Sequence, residues 1–451
     1  MSKVPFCFHR VILERSEESH VAGEATPRPA TTTKHGFAEE RRKHGLRTLK
    51  TRVTMRALEP TSGCGYHAPS QLRNRAGERP RSRAVSEMAP NVPGKRDVKK
   101  DPSVHVDDDS AGRPGRQGLK TYGFSEDHDP GKPAQWWFQE SQEGLVLFVV
   151  LYTLACRWAR CASCNLPSLS SAHHVGYRFL IAQVDSLFEN PEIAERHNLI
   201  RKVILSNNGS VLDEETFSST ALMYFLARLN LHLPNLSALS LETRVEYVDL
   251  AELEFLRRAL EEGDTATELE LAIGFEAFDE RIRNKVFQKG LSLREFEGLV
   301  EKIQPYGYRL KCYVMQKPVP KMSDADAVTD IKRAIDYLSG LSDRYRVRIN
   351  LHLNPTYVAS GTFLADAFRK GAYTPPRLVD VARSALYARD KPLSAFIGLS
   401  DEGLAVPGGS FIREGDRPVV ERLEEFNRTQ DYRILASVVE EASGHESLPS
   451  S

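Results

Sequence analysis

Three cysteines fall within nine residues of this chain, in "CRWARCASC": Cys156, Cys161 and Cys164, spaced Cys-x4-Cys-x2-Cys. Thiolates are soft ligands that suit zinc and iron–sulfur clusters. The residues by themselves allow three readings. A structural zinc site of the Cys3His type would take His173 or His174 as its fourth ligand. A plant-type ferredoxin site shares the spacing but needs a distant fourth cysteine. That residue would be Cys312, which lies in the middle of a predicted strand. The third reading is a 4Fe–4S cluster held by three cysteines only. One iron is then left open to a small molecule carrying an amine and a carboxylate, which accounts for the missing fourth thiol.

Something must present that loop. "GLVLFVVLYTLAC" (144–156) reads as a buried strand that ends on the first clustered cysteine. Five further apolar runs stopped by turn residues follow: "KVILSNNG" (202–209), "LSALSLETR" (236–244), "ELELAIGFE" (268–276), "RLKCYVMQKP" (309–318) and "RVRINLHLNP" (346–355). Between them lie helical segments at 176–195, 213–230, 249–263, 292–307 and 324–341. Six repeats of strand then helix predict an α/β fold with a parallel sheet. Six units fit a partial (βα)6 TIM-like barrel better than a closed eight-unit one, and a doubly wound open sheet is the alternative.

In either arrangement the sites lie at the C-terminal ends of the strands. Cys156, Asn207–Gly209, Glu242, Arg244, Glu276 and Asn354 all sit where a predicted strand ends. Glu242 and Arg244 lie two apart on a strand, hence on one face. A guanidinium suits a carboxylate through paired hydrogen bonds. Lys311, Gln316, Lys317 and His352 are further candidates to face a substrate, and Cys312 reads as a buried core thiol.

With these residues in view, the chain resembles the radical S-adenosylmethionine (SAM) superfamily. The usual superfamily spacing is Cys-x3-Cys-x2-Cys, and the extra residue here, with Trp158 in the loop, departs from it. The variant is similar to a subgroup related to the Elongator catalytic subunit and to the archaeosine-synthase-associated radical SAM protein. "LETR", "AIGFEAFDERIRNKVFQKGLS", "LKCYVMQKP" and "LNPTYVASGTFLADAFRKGAYTPPRL" carry the same likeness, over roughly residues 136–430. The resemblance implies a 4Fe–4S cluster on Cys156, Cys161 and Cys164, with SAM as cofactor. It implies SAM contacts at Asn208, Gly209 and Ser210 for the amino group, and at Glu242, Arg244, Glu276 and Arg283. The reaction implied is reductive cleavage of SAM to methionine and a 5′-deoxyadenosyl radical, which removes hydrogen from an unreactive carbon. The resemblance further implies a ferredoxin or flavodoxin as electron donor and transfer RNA as a candidate substrate. No acetyltransferase-like segment follows the core, so full equivalence to the Elongator subunit is not expected. The rival function is a zinc- or iron–sulfur-binding protein without SAM chemistry.

Composition bounds the remainder. The 451 residues are 41% hydrophobic and 27% charged with a formal net charge of zero. Residues 1–120 hold 24 Lys and Arg against 14 Asp and Glu, leaving 37 against 47 for the rest. An acidic body argues against a broad polyanion-binding surface. Residues 1–130 lack any apolar period and read as a disordered basic tail, or as sequence translated upstream of a start at Met55 or Met88. Residues 131–356 are assigned to the core, and 357–451 to a small α-rich C-terminal extension. The longest apolar run, Leu145 to Ala155, is too short to span a bilayer as a helix. Six cysteines in so long a chain suit a reducing, cytoplasmic setting, with no membrane partner.

Overall fold

The structure, a computed structural model, describes residue 120 and residues 122–446. Nearly all of the predicted basic tail lies outside the described residues. Eight strands form one sheet in strict chain order: β1 (Gln135–Ser141), β2 (Gly144–Val150), β3 (Ile200–Ser206), β4 (Ala238–Thr243), β5 (Glu268–Glu276), β6 (Arg309–Gln316), β7 (Ile349–Pro355) and β8 (Ser394–Ile397). β1 pairs antiparallel with β2, and every later pairing is parallel. Unbroken chain order excludes the doubly wound sheet, whose order reverses at a switch point. The fold is an open, curled TIM-like half-barrel flanked by helices, with β2–β7 as the six predicted strands.

Sequence reading missed the two outer strands. β1 forms a hairpin with β2 across Gln142 and Glu143, and Gly144 takes the left-handed conformation (φ 98°) that ends the turn. β8 pairs with β7, so residues 357–451 are not simply α-rich: they extend the sheet by one strand before the helices Arg417–Thr429 and Tyr432–Glu446. Residues 122–130, assigned to the tail, pack on the body. The Tyr152 hydroxyl donates to Ser125 O (2.7 Å) and Gln183 Nε2 to Pro130 O (2.7 Å).

The helices form where periodicity and caps coincide. Leu293–Ile303 begins in a capping box, Ser292 with Glu295, and buries Phe296, Leu299, Val300 and Ile303 at helical spacing. Such faces cover the outer side of the sheet, where Val203, Leu239, Leu271, Leu310 and Leu351 join one continuous core. Cys312 belongs to this outer layer and is fully buried. Burial raises its thiol pKa well above the ordinary value.

The inner side is polar. Because side chains alternate along a strand, Lys202, Glu270, Lys311 and His352 turn to the side opposite that core. At the N-terminal ends of the strands, Lys202 pairs with Glu270 (2.7 Å) and Glu143 (2.8 Å), and Arg309 with Glu143 (2.5 Å) and Glu270 (3.2 Å). Burial opposes the Glu270 charge, yet Lys202, Lys311 and Arg309 hold that carboxyl at about 2. This network fills the N-terminal end of the half-barrel, and the polar residues of interest gather at the opposite rim.

Candidate functional site

That rim carries a cavity of about 810 Å³. Its wall includes Cys156, Cys161, Cys164, Asn208, Gly209, Glu242, Arg244 and Glu276. The parallel strands β2–β8 account for this convergence, since their C-terminal ends all reach the same side.

The cysteine loop leaves β2 and is held to the rim at five points. The Arg157 guanidinium pairs with Asp213 (2.9 Å). Trp158 Nε1 donates to Gln288 O (2.9 Å) and the Ala162 amide to Phe287 O (2.8 Å). Ser163 Oγ donates to Pro318 O (2.9 Å), and Asn165 Nδ2 to Ser360 O (3.2 Å). The loop thereby touches segments that follow β3, β5, β6 and β7. The three thiols are half-buried. Burial raises the Cys161 pKa, against the pull of Lys289 and Arg244, and pushes Cys164 up to about 12. The Tyr122 hydroxyl lies within electrostatic reach of all three; burial first, then the thiols, raise its pKa.

The "SNNGS" turn abuts this loop. Asn208 is left-handed (φ 58°) and its Nδ2 is buried without a partner among the described residues. A Cβ on Gly209 would meet Cys156 Cα and Cβ at 3.2 Å, tighter than ordinary contact, so a side chain there would push turn and loop apart by a few tenths of an ångström. Ser210 does not line the cavity and hydrogen-bonds Thr243 Oγ1 (2.6 Å), which does.

At the end of β4, Glu242 accepts from the Tyr313 hydroxyl (2.5 Å). Burial raises its pKa, although Ser206 and Tyr313 donate hydrogen bonds to it. Arg244 is nearly buried; its Nε pairs with Glu246 (2.5 Å), its Nη2 donates to Lys289 O (3.1 Å), and its guanidinium lies 4.3 Å from the centre of the Trp158 ring. Trp158 also packs on Gly290 so tightly that a Cβ there would sit 2.3 Å from the indole. The longer cysteine loop therefore carries a side chain, Trp158, that stacks on a predicted cofactor contact.

Glu276 ends β5 in the left-handed region (φ 69°), at a break in register with β6. Such strain in a non-glycine residue concentrates at functional sites. Its carboxylate pairs with Lys289 (2.7 Å), and Gly274 leaves the space for that pair, since a Cβ there would lie 2.2 Å from Lys289 Nζ. Burial disfavours the Lys289 charge, but Glu276 and then Cys161 hold its pKa above the ordinary lysine value.

Arg283 is placed elsewhere. It lies in a π-helical turn, Arg281–Val286, is fully buried, and donates to Leu291 O (2.7 Å), Ala277 O (2.7 Å) and Phe278 O (2.9 Å). It closes the loop after β5 and does not line the cavity. Lys317 pairs with Asp324 (2.8 Å), and neither Gln316 nor Lys311 lines the cavity, whereas His352 and Asn354 do. His173 and His174 are exposed and away from it. Sequence reading missed Lys289, Tyr313, Tyr357 and Glu402 in the wall. Lys289, Tyr313 and Tyr357 lay in quoted motifs, but nothing in their spacing marked them, and Glu402 lay in none.

The fit to an iron–sulfur cluster rests on the donors present. Three thiols share one loop at one cavity, and Arg244 and Lys289 stand close enough to Cys161 to balance thiolate charge. Among the described residues no group of three or more His, Cys, Asp or Glu could hold a single metal ion. The unpartnered Asn208 Nδ2 and the closely approached Gly209 border the same space, as a ligand beside such a cluster would require.

An open half-barrel with a three-thiol loop at its rim is the architecture that the resemblance to radical SAM proteins implied, and the chain resembles that class in fold and motif order. Its relatives narrow the likeness. It is similar to archaeosine synthase subunit beta of Methanosarcina acetivorans, 27% identical over 250 residues (53% of this chain, 66% of the relative). The subunit beta of Thermococcus kodakarensis is 24% identical over 325 residues (70% and 92%). An uncharacterized protein of Methanocaldococcus jannaschii is 25% identical over 323 residues (68% and 84%). Among solved structures, the archaeal Elp3 of Methanocaldococcus infernus aligns with a TM-score of 0.39 at 16% identity, over 55% of this chain and 58% of that one. Streptococcus suis SuiB bound to S-adenosylmethionine aligns with a TM-score of 0.36 at 11% identity, over 57% and 50%. The chain thus spans only about half the length of these solved structures. No protein-family model matches the chain. Among the described residues, no helix is long and apolar enough to cross a membrane.

Proposed function

We propose that this chain is a radical SAM enzyme of the reducing cytoplasm, with Cys156, Cys161 and Cys164 as the thiolate ligands of a 4Fe–4S cluster. The observation that carries the reading is that one cavity wall joins these thiols to Asn208, Gly209, Glu242, Arg244 and Glu276. When bound, the two cofactors supply reductive cleavage of SAM and a carbon-centred radical. The chain's own residues bind and orient. Asn208 and Gly209 meet the amino group of SAM beside Cys156. Arg244, held against Trp158, takes the carboxylate, and Glu276, fixed by Lys289, accepts from ribose hydroxyls. Glu242 lies between these groups and Tyr313. Arg283 supports this wall from behind through the loop after β5. The substrate class that the relatives and the resemblance favour is a nucleoside of transfer RNA, and a ferredoxin or flavodoxin is the reductant.

Anaerobic purification tests the first step. The protein should be brown, with a broad visible absorption band, and on reduction should release 5′-deoxyadenosine from SAM. Arg244→Ala should keep its iron and bind SAM about ten- to a hundred-fold more weakly, as loss of a charge-assisted hydrogen bond requires. A colourless protein that neither binds nor cleaves SAM would establish the rival metal-binding reading instead.

A further inference from the structure

The charges in the cavity wall do not balance. Arg196 pairs with Glu192 (3.6 Å), Arg428 with Glu140 (3.6 Å), Arg244 with Glu246 (2.5 Å) and Lys289 with Glu276 (2.7 Å). Each cation of the wall thus has its own carboxylate. Two half-buried carboxylates of the wall, Glu242 and Glu402, have no ion-pair partner among the described residues. Each is met instead by a tyrosine hydroxyl, Tyr313 for Glu242 (2.5 Å) and Tyr357 for Glu402 (3.3 Å). Buried charges are ordinarily paired, because removal from water is costly.

Glu402 is the more isolated of the two. It lies in the loop after β8, in the left-handed region (φ 55°), on a different strand end from the predicted SAM contacts. Its neighbours Glu242 and Asp401 carry the same charge; burial and then Glu242 raise its pKa to about 7, and only the Tyr357 hydrogen bond opposes them. A second observation points to a ligand. Thr356, beside Tyr357 in the wall, is 2% exposed, and its Oγ1 makes no well-formed hydrogen bond among the described residues, although it stands within reach of the Tyr373 hydroxyl. Aromatic rings complete this end, with Phe396 in the wall and Trp137 stacked on Phe148 at 4.2 Å. Glu402 also faces the adjoining cleft beside Lys132–Trp137, so a ligand entering there meets it.

We propose that Glu402 anchors a primary ammonium of the substrate at the β8 end of the cavity, with Tyr357 orienting the carboxylate. An ammonium supplies the missing counter-charge, its remaining protons suit hydroxyl acceptors such as Thr356 Oγ1, and aromatic faces favour a cation beside them. The inference rests on the proposed function in naming the ligand a substrate; its measurement does not.

The probes are n-hexylamine and 1-hexanol, which share a chain and differ in the charged group. Their dissociation constants for the anaerobically purified full chain are measured by ligand-observed NMR, with that of SAM in parallel. The wild type should bind the amine at least tenfold more tightly than the alcohol. Glu402→Gln should remove that preference, leave the alcohol unchanged and leave SAM within threefold. Glu402→Asp, which keeps the charge on a shorter stem, should fall between, and serves if the Gln variant does not fold. Equal binding of amine and alcohol by the wild type would overturn the proposal, as would an unchanged preference in Glu402→Gln. A parallel tenfold loss of SAM would also overturn it, since Glu402 would then hold the cofactor's own cation. A wild type that prefers the amine but binds no SAM would sink the proposed function and leave the Glu402 site standing.

Discussion

Trp158→Ala should separate cluster binding from SAM binding. The substitution removes three contacts: the indole N–H bond to Gln288 O at 2.9 Å, the face against Arg244 at 4.3 Å, and the packing on Gly290. A cation–π contact to a guanidinium that is only 7% exposed contributes about 1–2 kcal/mol. The hydrogen bond adds about 1 kcal/mol. If the whole of this sum held Arg244 in place, its loss would weaken SAM binding by about thirty- to a hundred-fold or somewhat more, at tenfold per about 1.4 kcal/mol. Glu246 and Lys289 O still hold the guanidinium, so about tenfold is expected. None of the lost contacts involves a thiol, so iron content should be kept. Trp158→Phe retains a ring face but not the N–H and should lose about threefold. Gly290→Ala should mimic Trp158→Ala, because its Cβ would occupy the indole's place and its φ of 68° disfavours a side chain. Iron content and equilibrium binding of SAM to the anaerobic protein decide the matter. Wild-type SAM affinity in both Trp158→Ala and Gly290→Ala would refute the reasoning, and so would loss of iron in step with loss of SAM.

Three further outcomes are expected. Alanine at Cys156, Cys161 or Cys164 should abolish iron binding, whereas Cys312→Ala, on the outer face of the sheet, should keep iron and lose stability only; equal iron loss in Cys312→Ala would restore a four-cysteine site. A chain starting at Lys120 should fold with its iron. One starting at Gly131 should be less stable by about 1–3 kcal/mol in denaturant titration, because the bond from Tyr152 to Ser125 and that from Gln183 to Pro130 are lost. Lys202→Met leaves Glu270 and Glu143 short of their shared cation and should cost about 3–5 kcal/mol. The sign with pH follows from Glu270, whose folded value of about 2 lies below its ordinary 4.5. Its contribution is complete above the unfolded value and is lost as pH falls through the folded one. The variant's acid-unfolding midpoint should therefore move to higher pH, and an unchanged midpoint would show that the network does not hold the half-barrel.

How far the sequence discloses this molecule depends on what sets each feature. The six strands β2–β7 are legible because each is an apolar run closed by turn residues, and a parallel sheet buries both faces. β1 and β8 are not: "QWWFQES" joins β2 through a turn without an Asn-Gly or Asp-Gly signal, and "SAFI" is only four residues long. The strand-end rule placed Asn208, Glu242, Arg244 and Glu276 in one wall because it depends on topology alone. Arg283 came from the resemblance alone; it lies seven residues beyond the strand end, where a π-helical turn aims it at three carbonyls. Glu402 and Tyr357 come from irregular segments after β7 and β8, where no periodicity carries information. Most instructive is the cysteine spacing. In the sequence the extra residue is a departure in a count. In the structure it is bound up with a side chain that fills the space left by Gly290 and lies against Arg244. A loop that sequence treats as a spacing thus also carries a contact, and Gly290, 132 positions from Trp158, belongs to the same packing unit.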